Sequence, residues 1–169
     1  MLVRIQIKTV EEMRNSLFML GIALLVGLFG CNFDSIYEKS EDIPKEEWNK
    51  NEVIKFEIPV TDTIHGYRIF VNVRNSNEYP YSNLFLFLTT YSPQGKSVKD
   101  TLEMTLADDR GKWLGSGFGG IWSSETALRN NTVIRFPSSG IYRIEVVQAM
   151  RDDVLRGIKD IGIKVERAK

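Results

Sequence analysis

From residue 52 onward, apolar side chains recur at every second position, and a chain patterned this way buries its apolar half by forming sheet. In VIKFEIPV (53–60), Ile54, Phe56, Ile58 and Val60 share one face while Lys55 and Glu57 take the other. YRIFVNVRN (67–75) repeats the pattern with Tyr67, Ile69, Val71 and Val73 inward. Later runs place Leu102, Met104 and Leu106, then Ile134 and Phe136, then Tyr142, Ile144 and Val146, and finally Ile161, Ile163 and Val165 on the buried side. NLFLFLTTY (83–91) is apolar on both faces through Leu84–Leu88, which predicts a central strand covered on both sides.

Turn chemistry separates these runs, at His65-Gly66, Asn75–Pro80, Ser92–Gly95, Asp108–Gly111, Asn130-Asn131 and Pro137–Gly140. The only helical pattern is a turn or so around Ser123–Arg129. Seven or eight short strands with turns between them predict an all-β domain over residues 52–169, an antiparallel β-sandwich of the jelly-roll kind.

Upstream, the apolar run Leu17–Phe29 is 13 residues long, short of the roughly 18 that mark a membrane span and within the range of a signal-peptide core. It stops at Cys31, the single cysteine of the chain. Leu28, Phe29 and Gly30 before that cysteine resemble a bacterial lipobox, with Phe29 bulkier than usual. The resemblance implies that the Cys31 thiol is acylated and becomes the new N-terminus. Residues 1–30 then read as a removed signal peptide. Glu11 and Glu12 do not suit a positive n-region, so a start at Met13 fits the pattern better. Residues 31–51 follow as the lipidated cysteine and a linker, because Asn32–Asn51 is charged, lacks apolar period and contains Pro44. Trp48 is expected to pack on the domain edge.

Charge excludes some partners. Of 22 basic and 22 acidic residues, those in residues 1–30 nearly balance, so the remainder has no basic excess and nucleic acid is not expected. With Cys31 acylated no thiol remains for disulfides or metal. His65 is the only imidazole, and it sits in a turn without a marked nucleophile. Asp100, Glu103, Asp108 and Asp160 carry no motif of paired catalytic carboxylates. Neither catalytic residues nor a cofactor is expected, and the chain reads as no enzyme.

Three ordered blocks, RNSNEYPYSNLFLF (74–87), DTLEMTLADDRGKWLGSGFGGI (100–121) and GIYRIEVVQAMRDDVLRGIKDIGIKVE (140–166), resemble the gliding-motility lipoprotein family called GldH. The resemblance implies an envelope lipoprotein that supports surface gliding as an accessory of the motility and secretion machinery, with no known reaction. Its partners would be the membrane, through the N-terminal lipid, and other envelope proteins of the gliding apparatus. NFDSIYEKS after the cysteine holds no clear acidic run, so a periplasm-facing place on the outer membrane is expected. Several acyl chains, palmitate among them, would hold it stably.

Within the blocks, Tyr79, Pro80 and Tyr81 form a loop whose rings are held by proline. The expected role is structural, one tyrosine covering the sandwich end and the other capping a turn through its hydroxyl; a sugar or peptide platform is the alternative. Arg74, Asn75 and Asn83 bracket the loop and have the groups to grip a carboxylate or saccharide hydroxyls, although such residues at strand ends more often satisfy loop backbone. Asp108-Asp109-Arg110-Gly111 has the carboxylates of a calcium loop without its alternating ligands, and reads as a turn. GKWLGSGFGG (111–120) carries five glycines in ten residues, which points to positive φ or to close approach of another backbone. Its spacing does not match a phosphate loop, and Trp113 and Phe118 are its candidates for touching a partner. The two functional classes are thus an interaction or structural component of the envelope and a carbohydrate- or peptide-binding module. Coplanar, exposed Tyr79, Tyr81, Trp113 and Trp122 would favour the second, and an apolar patch or open edge strand the first.

Overall fold

The computed structural model describes residues 35–168. The expected signal peptide (1–30), the lipidated Cys31 and residues 32–34 lie outside the described residues. The strands are β1 (Ser35–Asp42), β2 (Glu47–Asn49), β3 (Ile54–Val60), β4 (Tyr67–Ser76), β5 (Asn83–Tyr91), β6 (Ser97–Thr105), β7 (Ser116–Phe118), β8 (Ile121–Ala127), β9 (Gly140–Gln148), β10 (Val154–Arg156) and β11 (Ile158–Arg167). They build a five-stranded sheet in the order β1-β11-β4-β8-β7, a four-stranded sheet in the order β3-β9-β5-β6, and a ribbon of β10 with β2.

The topology is that of a rolled hairpin. Setting aside the short β2, β7 and β10, the outermost long strands β1 and β11 pair, then β3 with β9, β4 with β8, and β5 with β6, every pair antiparallel. Nested pairing of this order, wound into two facing sheets, is the jelly roll expected from the sequence. The two-residue period explains the packing: β3 is buried at Ile54, Phe56, Ile58 and Val60 and exposed between them. The inner faces of both sheets supply one contiguous core that includes Val71, Val73, Leu86, Met104, Ile144 and Ile163. Removing these side chains from water is the main force holding the sheets together.

Three expectations change. The linker is not a tether from residue 35 on: β1 pairs with β11 from Ser35 to Asp42, and Ile43 and Trp48 are buried in the core. The indole N–H of Trp48 donates to the Glu52 carbonyl at 3.3 Å. Ser35–Asn51 therefore belong to the domain, which does not start at residue 52. Its first strand was hidden because an edge strand keeps its charges outward, as Lys39 and Glu41 do in an ion pair of 2.6 Å.

The second change concerns β5, which lies inside its sheet but is covered on one face only. Leu84, Leu86 and Leu88 are buried, while Phe87 is exposed and lies 4.4 Å from the Lys99 ammonium, measured to the ring centre. A cation over the ring shields an outward phenylalanine without a third layer. The third is the helical turn at Ser123–Arg129. Ser123–Ala127 belong to β8, paired with β4, and Leu128 and Arg129 open a short 3-10 turn, Leu128–Asn131.

Candidate functional site

The end of the sandwich where β4 leaves and β5 enters gathers most of the residues singled out above. Pro80 fixes the loop, and Tyr79 turns inward, 3% exposed, with its hydroxyl donating to the Asn83 carbonyl at 2.7 Å. Its ring meets Tyr81 edge to face with centroids 5.8 Å apart, and Trp113 at 6.4 Å with a 40° tilt. The Tyr81 hydroxyl donates to the Asp152 carboxylate at 2.7 Å. Burial, with Tyr81 and Asp152 adding to it, pushes the Tyr79 phenol above its ordinary range, so it stays a neutral donor.

Arg74, Asn75 and Asn83 do not converge. The Arg74 guanidinium holds Asp160, with Nε and Nη2 each 2.5 Å from Oδ2. Burial raises the Asp160 carboxyl against the pull of that guanidinium. Asn75 is wholly buried, its amide donating to the Ser76 carbonyl at 3.2 Å. Asn83 lies on the other sheet and donates to Glu103 at 2.8 Å. Arg74 and Asn83 are committed to carboxylates and Asn75 is sealed inside with its Oδ1 unpartnered among the described residues, so no shared grip on a carboxylate or sugar forms.

The glycine-rich segment becomes a hairpin. Gly119 and Gly120, at φ of 64° and 84°, make the two-residue turn between β7 and β8; positive φ at both positions is the demand of a type I′ turn. Gly117 lies against Trp122, where an added Cβ would come within 2.5 Å of the ring. Position 117 is a glycine because the strand runs directly over a tryptophan there.

Beneath it, the indole N–H groups of Trp113 and Trp122 both donate to Asn77 Oδ1, at 3.2 and 2.9 Å. Asn77 was not singled out in the sequence, since only the fold brings two indoles to one amide. At the tip, Phe118 is 96% exposed, with Leu114 exposed nearby in the chain. Of the seven candidate binding residues, Phe118 is the fully open one. The rings of Tyr79, Tyr81 and Trp113 are tilted and partly or wholly buried, so they make no flat exposed platform.

The acidic turn uses its carboxylate internally: Asp108 Oδ1 accepts from the backbone N–H groups of Arg110 and Lys112, both at 2.9 Å, with Gly111 at a φ of 77°. His65 Nδ1 lies 2.6 Å from Asp62 Oδ2 on an exposed turn.

The chain is similar to known proteins over most of its length. The GldH lipoprotein family profile matches residues 35–165. A gliding motility lipoprotein GldH homolog from Christiangramia forsetii is 39% identical over 145 residues, covering 82% of this chain and 87% of that protein. The gliding motility lipoprotein GldH of Flavobacterium johnsoniae is 32% identical over 163 residues, covering 92% and 98%. Among solved structures, dimeric latent PorU from Porphyromonas gingivalis matches with a TM-score of 0.35 and 10% identity, over 82% of this chain and 13% of that one, too remote to bear on fold or function. The family match begins at Ser35, the residue at which β1 begins, and ends within β11. The matched span thus coincides with the jelly roll, and the chain belongs to the GldH lipoprotein family of gliding-motility proteins.

Proposed function

We propose that this chain is a lipid-anchored envelope protein that works by contact rather than by chemistry, presenting the β7–β8 hairpin to another envelope protein of the gliding apparatus. The observation that carries this reading is Phe118, a large apolar ring left 96% exposed at the tip of a hairpin. The hairpin is braced from below by Trp122, Trp113 and Asn77, so the ring is held out at little entropic cost to binding. An aromatic side chain placed this way is the form an interface anchor takes. The anchor on the membrane side is Cys31, acylated, with the domain facing the periplasm from the outer membrane and palmitate among the attached chains. Tyr79 and Tyr81 are engaged by Asn83 and Asp152, which supports contact over a saccharide platform.

A photo-cross-linking residue placed at Phe118, in a gliding host that lacks its own family member, tests the reading. Placement at Ile64, which is 81% exposed in the loop after β3, serves as the comparison. Capture of one envelope protein from position 118 and not from 64 is expected. Identical products at both positions, or none from 118, would overturn it.

A further inference from the structure

The other end of the sandwich is open between the sheets. A cavity of about 520 Å³ lies where the β5–β6 turn faces the 3-10 turn after β8, within the roughly 300–1,000 Å³ of small-molecule sites. Its floor is apolar: Ile69, Leu128, Ile134, Phe136 and Tyr142 line it. The Phe136 and Tyr142 rings pack tilted on each other at 4.6 Å and are almost wholly buried, so they offer a greasy wall and not a flat face for a sugar.

The mouth is polar and basic. Lys96 and Arg135 are exposed there, and neither makes an ion pair among the described residues. Arg129 forks onto Asp100 with both bonds at 2.9 Å, which uses up the one acidic group of the rim. Arg129 stands in a run of consecutive left-handed residues, Arg129, Asn130 and Asn131, at φ of 53°, 53° and 64°. L-residues avoid that conformation, and such runs persist where the surrounding structure imposes them, often beside binding sites.

We infer that this cavity binds an amphipathic anion, its acyl chain on the Ile69–Phe136 floor and its carboxylate at Lys96 and Arg135. An apolar interior favours the chain, and two cations without protein partners favour the negative head over a neutral one. The inference stands apart from the Phe118 reading, since the two sites lie on different loops and fail separately.

Asp34–Lys169 form a compact unit of their own, and among the described residues its core runs from Ile36 to Val165, so the test uses residues 32–169 once cooperative melting shows that they fold. The probe is dansyl-undecanoate below its micelle concentration, followed by fluorescence. Saturable binding at one site is expected, with dodecanoate displacing the probe and dodecanol displacing it far more weakly. The double variant Lys96→Gln/Arg135→Gln should weaken binding roughly tenfold, as loss of charge-assisted contacts does. Ile134→Trp should abolish binding by filling the floor. Circular dichroism checks that both variants fold, and the exposed double variant keeps the test alive if Ile134→Trp does not. Absence of saturable binding, equal displacement by dodecanol, an unaffected double variant, or displacement by a muropeptide and not by dodecanoate would each overturn the inference.

Discussion

At the scale of single residues, the polar groups of this domain mostly serve loops. Asp62 is the clearest case. Its carboxylate accepts from the Ile64 and His65 backbone N–H groups and meets the His65 ring and Arg167. The bonds from Ile64 and His65, the Ile64 backbone bond first, lower its pKa from 3.8 to about 2. The folded pKa lies below the unfolded one, so the stabilisation is present above pH about 4 and is lost as pH falls toward about 2. Urea midpoints of wild type and Asp62→Asn should therefore separate at neutral pH and converge near pH 2. A gap of the same size at both ends of the range would contradict the assignment. Arg74 and Asn75 teach a related lesson. As sequence they have the groups of a binding site, yet the pairing of β4 with β11 sets Arg74 against Asp160, and no local pattern announces a partner so far along the chain.

At the scale of elements, the β7–β8 hairpin depends on the close contact of Gly117 with Trp122. Gly117→Val forces the strand off the indole and should cost about 1–3 kcal/mol, the usual penalty for overpacking. Tryptophan emission should move to the red as Trp122 meets water, and the melting temperature should fall. An unchanged spectrum and melt would show that the strand does not sit on the ring.

The strand β1 makes a second test. Deleting residues 31–51 as if they were a linker removes Trp48, whose truncation alone is worth about 3–5 kcal/mol, together with Ile43 and the whole β1–β11 pairing. Circular dichroism should show a domain that no longer unfolds cooperatively, whereas a true linker would leave the melt unchanged. Here the limits of the sequence are physical. Strands β3, β4 and β9 were legible because one face is buried and the other wet, and their inward residues were named correctly. β1 was missed because a charged edge strand has the composition of a linker. β5 was overread because Phe87 meets its cation across the sheet. The glycines of 111–120 were read correctly as serving positive φ and close approach, while the object approached, Trp122, became visible only in three dimensions.

At the scale of the whole molecule, the jelly roll places its two open ends far apart in function. One carries the braced Phe118 hairpin, the other the cavity beside Lys96 and Arg135. Acylation at Cys31 would leave both ends of the domain to meet other molecules from a fixed membrane position. Intact-mass spectrometry of the membrane fraction reads that proposal directly: a mass of residues 31–169 plus acyl groups, lost in Cys31→Ser, is the expected outcome, and an unacylated mass retaining the segment before Cys31 would contradict it. The contact itself is tested most directly by motility. Cells of a gliding host that depend on this chain should stop spreading when Phe118 becomes Ala, at unchanged protein level and unchanged melting temperature, and should recover with Phe118→Trp. Full gliding by the Phe118→Ala cells would contradict the claim that the hairpin tip is where this protein meets its partner.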